Sequence, residues 1–394
     1  MKSLFFLCLI LMSLAAQGME GQAASAMTLY PEDGSLRMTH WFYSKSTYFV
    51  PSELEKIRSA LESEDVKPVE LDFSAAYLQD VMLFDDKGRV LIQAPMPTEP
   101  ENILTGLTIA VFDFDRILTK IDVADTERMG LGSQKLDWTF VEGGGFISGK
   151  FSDGETYVLM TAAVIDRAKN FYEYLNKVNV SEEAIKTLIA SDLNIKAENI
   201  FILPLSGHLD LEIMALPGGV LLLNDSSRVV QTLDYVLTNY SMSVAENEII
   251  KSIRTIYTEG QQRFDYQGQP MGEKLFPDGL RPKRLEALDE TMKILEKRFK
   301  VIRLAGRISQ LTTYSNSSSL YITEDIDFFN GFTGKNASNE TFVMTNESSG
   351  LPVLQMYWRD VLKTQGISSE HVHFVGRYTE GAGIDCAGAG TNLH

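Results

Sequence analysis

Cysteine is nearly absent from this chain of 394 residues: there are two, Cys8 and Cys386. That rules out a disulfide framework, so the fold must rest on an apolar core. Long apolar runs are scarce too. The most apolar one, residues 4–16, falls short of the roughly 18 residues that a membrane span needs, and no later stretch approaches that length. Lys2 precedes the run, and small-residue sites follow it at Ala16-Gln17-Gly18 and Ala24-Ser25-Ala26, so residues 1–26 read as a secretion signal. Cys8 lies inside the run behind Phe6-Leu7, where a lipoprotein anchor would need a small residue. Positive charge is the other deficit, with a formal net charge of −17. Such a chain repels nucleic acid and anionic membrane surfaces and draws in small cations and basic peptides. The expectation is a secreted or periplasmic protein with neither nucleic acid nor membrane as a partner. The sequence leaves the oligomeric state open.

No sequence repeat, low-complexity tract or proline-rich linker divides residues 27–394, so one continuous domain is expected. Strand-like and helix-like segments alternate, the pattern of an α/β protein. Ser52 and Glu55 have capping-box spacing and predict a helix to about residue 63, followed by an extended segment over 69–73. Asp85-Asp86-Lys87-Gly88 predicts a hairpin turn between strands over 78–84 and 89–93. Ser181 opens a helix whose Ile185, Leu188, Ile189 and Leu193 share one stripe. Residues 201–205 and 209–216 read as strands. Residues 241–300 are the most helical part, two charged amphipathic stretches around a polar link, and are expected to form an insertion or a lid. Strands over 300–304 and 341–344 and a helix over 352–363 complete the pattern. Seven Asn-x-Ser/Thr sequons occur, four of them between Asn316 and Asn346; they bear on glycosylation only in a host that modifies exported proteins.

With the signal gone, Cys386 is the sole cysteine. It lies in Gly381-Ala382-Gly383-Ile384-Asp385-Cys386-Ala387-Gly388, where flanking glycines loosen the chain, and it reads as a thiol kept for chemistry. Gly207-His208-Leu209-Asp210-Leu211-Glu212 falls in a predicted strand, where period-two alternation turns His208, Asp210 and Glu212 to one face. A base and a carboxylate so placed can act on one ligand, or they form a satisfied structural pair. A zinc site would need further ligands, for which His371 and His373 have strand spacing. Asp80, in Tyr77-Leu78-Gln79-Asp80, stands among apolar neighbours and needs a partner if buried. Glu142-Gly143-Gly144-Gly145 permits a tight turn or a close approach.

In order and spacing, these elements resemble the guanidino-group-modifying superfamily, which includes peptidylarginine, agmatine and arginine deiminases. Its aromatic-x-(Arg or Gln)-Asp motif is matched by Tyr77-Leu78-Gln79-Asp80, its Glu-Gly-Gly element by Glu142-Gly143-Gly144, and its Gly-His-x-Asp by Gly207 to Asp210. Its glycine-rich segment with the nucleophilic cysteine is matched by Gly381 to Cys386. The resemblance covers about residues 30–394. It implies a single catalytic α/β domain, a five-bladed pseudo-symmetric propeller of the pentein type. Asn330, in Phe328-Phe329-Asn330-Gly331, resembles an active-site asparagine of the bacterial peptidylarginine deiminases, with Asn316 as the competing assignment. Three positions depart from the pattern: Tyr77 replaces a tryptophan, Gly145 an asparagine or aspartate, and Asp385 a histidine.

The chemistry so implied needs these residue types. A guanidinium is planar, charged and a poor electrophile, so it must be gripped and presented to a strong nucleophile. Asp80 and Asp210 would supply the grip, the Cys386 thiolate the attack, and His208 the proton transfers. No metal or organic cofactor is required. The expected substrate is arginine within peptides, with agmatine or free arginine as the alternative and amidinotransfer open to the same residues. The rival of another class is a guanidinium- or partner-binding protein without turnover.

Overall fold

The computed structural model describes residues 28–45, 49–72, 78, 82–92, 123–136, 139, 143–176, 179–205, 208–264, 270–313, 321–348, 350–377 and 388–393. Among these residues, one pairing scheme recurs in five sheets: an antiparallel pair, a helical crossover, and a third strand that returns parallel to the second. Alternating short strands and amphipathic helices lead to this scheme, since a parallel return needs a long connection and a helix buries its apolar stripe on the sheet it crosses. One sheet joins β2 (His40–Ser44) to β20 (Gly388–Thr391) antiparallel and, past helix α1 (Pro51–Ser63), to β3 (Lys67–Leu71) parallel. The next pairs β4 (Leu83–Phe84) with β5 (Val90–Ile92), and β5 with β6 (Ser133–Lys135) past α2 (Val123–Arg128). The third is β7 (Phe146–Lys150), β8 (Thr156–Thr161), helices α3 (Ala162–Asn176) and α4 (Glu182–Asp192), and β9 (Ile200–Leu203).

The fourth sheet pairs β10 (Ile213–Leu216) with β11 (Val220–Asn224) and β11 with β14 (Lys300–Leu304). Its crossover is the long segment 229–295: α5 (Val229–Asn239), α6 (Val244–Glu259), a hairpin of β12 (Gln261–Phe264) and β13 (Pro270–Leu275), and α7 (Pro282–Leu295). The polar link inside 241–300 is therefore a hairpin. The helices on either side are seated in the core, α6 by Ile250, Ile253 and Tyr257 and α7 by Leu288, Met292 and Leu295. A separate hairpin, β15 (Arg307–Thr313) and β16 (Tyr321–Asp327), leads into the fifth sheet. There β17 (Phe332–Lys335), β18 (Thr341–Glu347), α8 (Pro352–Thr364) and β19 (Val372–Arg377) repeat the scheme, and β1 (Asp33–Arg37) adds parallel to β17. The leading strands lie beside one another: β20 touches β4, β7 touches β10, β10 touches β17, and β1 touches β7 and β10.

The hairpin turn at Asp85–Gly88 forms as expected, its Oδ1 accepting from the Lys87 and Arg89 N–H groups at 3.0 and 2.8 Å. Ser181 caps α4 through the Ala184 N–H at 3.2 Å. Helix α1 begins two residues earlier than its predicted box. Val50 is its N-cap, and Glu53, at the third helical position, accepts from the Val50 N–H at 3.4 Å, because Pro51 fits the first helical position where its missing N–H costs nothing. The predicted strand over 78–84 is described as a strand only at Leu83–Phe84. Packed with α5 and α6, the fully buried Trp358 of α8 stacks on Phe328 at 5.3 Å and meets Phe329 edge-on at 5.4 Å. Truncating a side chain so enclosed costs roughly 3–5 kcal/mol. This packing fixes the chain immediately before Asn330.

Candidate active site

The predicted strand over 209–216 begins only at Ile213; residues Leu209–Leu211 form a single 3-10 turn, closed by the Glu212 N–H on the Leu209 carbonyl at 2.9 Å. Leu209 is wholly buried and anchors the turn in the core shared by β7 to β11. In a turn, the alternation that would put three polar side chains on one face does not apply. His208 and Asp210 still meet, His208 Nδ1 lying 3.5 Å from Asp210 Oδ1. Glu212 turns away. Its Oε1 takes Arg307 Nη1 at 3.1 Å and Arg284, and its Oε2 accepts from Asn224 Nδ2 at 2.8 Å.

Asp210 is buried, whereas the His208 side chain keeps 33% of its surface exposed, so the pair faces an opening with the imidazole outermost. The buried Asn330 amide donates to Asp210 Oδ2 at 2.7 Å. Thus Asn330 is brought to the site, from the turn between β16 and β17. The triple glycine forms a 3-10 turn, Gly143–Gly145, leading into β7. A Cβ built on Gly144 would overlap the His208 ring, so no residue but glycine leaves room for the imidazole there. The same test explains why Gly145 need not be glycine: a Cβ would meet only Val164 at 3.3 Å and the Thr161 hydroxyl at 3.4 Å, contacts that small shifts relieve.

Cys386, Asp80 and Asn316 lie outside the described residues, as do Tyr77, Gln79, Glu142, Gly207 and Asp385. Residues close to two of them in sequence do come together. Met82 and Ala389 line one small enclosed cavity together with Glu32, and β20 lies beside β4. Sequence reasoning missed Glu32. It accepts from the Ser148 N–H at 3.0 Å. Burial pushes its carboxyl up to about 7; the Ser148 bonds pull the other way, and Asp210 and Asp33 add to the rise. A carboxyl that close to Asp210 had no motif to announce it.

His371 and His373, the further ligands of a zinc reading, are not with His208. Both contact the buried carboxylate of Glu64, His371 Nδ1 at 2.9 Å and His373 Nε2 at 2.6 Å, and Asn336 donates to it at 2.9 Å. Among the described residues, no group of three or more His, Cys, Asp or Glu side chains is arranged to hold a metal ion, and no helix is long and apolar enough to cross a membrane. His208, Asp210 and Asn330 can together orient a planar cation against a carboxylate and move a proton beside it.

No family model matches the chain, and no curated protein matches it. Among solved structures it is similar to the agmatine deiminase of C. jejuni, in one structure and in another with substrate bound. Each match has 11% identity over 95% of this chain and 100% of that one, with a TM-score of 0.48. It is also similar to an arginine dihydrolase from the ornithine–ammonia cycle in cyanobacteria, with 12% identity over 90% of this chain and 39% of that one, and a TM-score of 0.37.

Proposed function

We propose that this protein hydrolyses a guanidino group to a ureido group and ammonia. The observation that carries the reading is the seat of His208: an imidazole laid over Gly144, 3.5 Å from an aspartate that is itself held by Asn330. Three separate stretches of chain converge there: the Gly-Gly-Gly turn, the His208–Asp210 turn and the turn that carries Asn330. In the reaction, Asp80 and Asp210 receive the paired N–H groups of the guanidinium. The Cys386 thiolate bonds to the central carbon, and the tetrahedral adduct expels ammonia, protonated by His208. His208 then takes a proton from water, whose oxygen adds to the thiouronium carbon; collapse releases the ureido product and restores the thiolate. The five like sheets, with leading strands side by side, support a five-bladed arrangement whose centre holds this site. The apolar run at residues 4–16 supports export.

The substrate reading stays at the guanidino group. Agmatine, the substrate class in the names of the similar C. jejuni structures, is the first to try, then free arginine, then arginine in a peptide. Ammonia release from at least one of the three is expected, and Cys386→Ala should abolish it while leaving binding intact. Binding without ammonia release from any of them would make the protein a receptor instead.

A further inference from the structure

Asp327 is fully buried and has no part in the steps above. Its Oδ1 accepts from the backbone N–H groups of Phe329 at 2.9 Å and Asn330 at 3.2 Å. Bonds from a side chain to the N–H groups two and three residues on make the turn that follows β16 and delivers Asn330. The buried Asn346 amide closes the turn from the other side, donating to the carbonyls of Asp327 at 2.8 Å and Asn330 at 3.0 Å. Asn330 is thereby held at both its N–H and its carbonyl, with its side chain on Asp210 Oδ2. The second oxygen of Asp327 faces Arg307 Nε at 3.5 Å, and Arg307 also holds Glu212, two residues beyond Asp210. One brace, Asp327 to Arg307 to Glu212, therefore joins the turn that carries Asn330 to the turn that carries Asp210.

We infer that Asp327 is a positioning residue: by clamping two backbone N–H groups it aims Asn330 at Asp210, and so sets the direction in which Asp210 presents its carboxylate to a guanidinium. This rests on the reading of Asp210 as the grip. Burial drives the Asp327 carboxyl well above the usual carboxylate range, with Arg307 pulling it down and Glu212 adding to the rise. The clamp needs only an acceptor oxygen, which a neutral group supplies equally well. Asparagine should therefore replace Asp327, and alanine should not.

The test is a double-mutant cycle on agmatine affinity, measured calorimetrically in a Cys386→Ser background below the unfolding temperature of each variant. Asp327→Ala and Asn330→Ala should each weaken binding by about tenfold, the scale of a misaligned charge-assisted contact. The double variant should lose no more than either single one, because both remove the same alignment. Asp327→Asn should bind within about threefold of the parent, since one acceptor remains. If Asp327→Ala does not fold, Asp327→Ser, too short to reach both N–H groups, takes its place in the cycle. Additive losses, or an asparagine variant as weak as the alanine one, overturn the inference. If the parent binds no guanidinium ligand, it is the proposed function that fails. The positioning role is then read from the NMR titration of the His208 ring, whose midpoint should move equally in Asp327→Ala, Asn330→Ala and the double variant; an unmoved midpoint overturns it.

Discussion

Among the described residues, two clusters combine histidine with a buried carboxylate, and they have opposite character. At Glu64, which caps the C-terminus of α1, His371, His373 and Asn336 all lie at 2.6–3.0 Å, and His371 also reaches Glu340 at 3.2 Å. Burial would raise the Glu64 carboxyl, but these hydrogen bonds hold it down at about 2. Around Asp210 the histidine stands off at 3.5 Å, its ring a third exposed, and the neighbouring carboxyl of Glu32 is pushed up rather than down. The first cluster fastens α1 to the fifth sheet through short bonds. The second presents an imidazole to an opening over a glycine. Residue type and spacing, His-x-His in one and His-x-Asp in the other, do not separate them; the third element each turn packs against does.

The largest expected effect tests that contrast from the Asp210 side. His208→Ala should lower turnover by about 10³-fold, within the range for removing a general acid–base, and Gly144→Ala should do the same by displacing the ring. Neither should change the denaturant midpoint much, since His208 is only partly buried. A loss of stability in proportion to activity would make the Asp210 cluster a second fastener. Next in size is Glu64→Ala, which strands two histidines and an amide in the interior and should cost roughly 3 kcal/mol in urea unfolding. Activity per folded molecule should stay within about twofold, the scatter expected for a site that shares no partners with the other; a larger drop would couple the two regions.

The smallest effect is in pH, and here the two regions leave different signatures. Glu64, depressed to about 2 from 4.5, stabilises fully above pH 4.5 and loses its contribution as pH falls toward 2. For His371, burial pulls the pKa down, but the Glu64 bond and charge outweigh it; the raised group stabilises fully below pH 6.5 and loses its contribution as pH rises through its folded value. Glu32, raised to about 7 from 4.5, holds its proton more tightly when folded, so its contribution also declines as pH rises through that window. Thermal stability should peak near pH 4.5 and fall from there toward pH 8, by roughly 2–4 °C for each kcal/mol lost. Glu32→Gln should flatten that decline. Melting temperatures that climb toward pH 8, or an identical profile in the variant, would contradict these assignments.

Much of the secondary structure was legible because periodicity and turn chemistry are local. The Asp85–Gly88 hairpin, the Ser181 cap and the last helix needed nothing beyond their own residues. The turn at 209–211 was not legible. Its alternating Leu-Asp-Leu-Glu looks like a strand, and only the burial of Asp210 against Asn330, a contact between distant segments, favours a turn. The fivefold recurrence of one sheet scheme was equally hidden in the residues, since what recurs is pairing order while the crossovers range from the single helix α1 to the whole segment 229–295. Asp327 and Arg307 read as ordinary polar residues of a hairpin until the structure brings Glu212 between them. Sequons at Asn224, Asn336 and Asn346 mislead in the same way: those amide nitrogens, the atoms a glycan would occupy, are buried donors to Glu212, Glu64 and two backbone carbonyls.

The pairing of His40 with Thr391 and of Tyr43 with Gly388 sets an order on the life of the chain. A ribosome delivers β2, α1 and β3 early, but β20, the strand that completes their sheet, emerges only after the strands of the other four sheets. Until then β2 carries an open edge and the apolar side chains of Trp41 and Phe42, both buried in the finished fold, have nothing opposite them on that side. The middle sheets can close as they appear; this one must wait for β20. The newborn chain is therefore most vulnerable to mispairing at the open edge of β2, and a nascent-chain protease or chaperone should find that edge long after the middle sheets have become resistant.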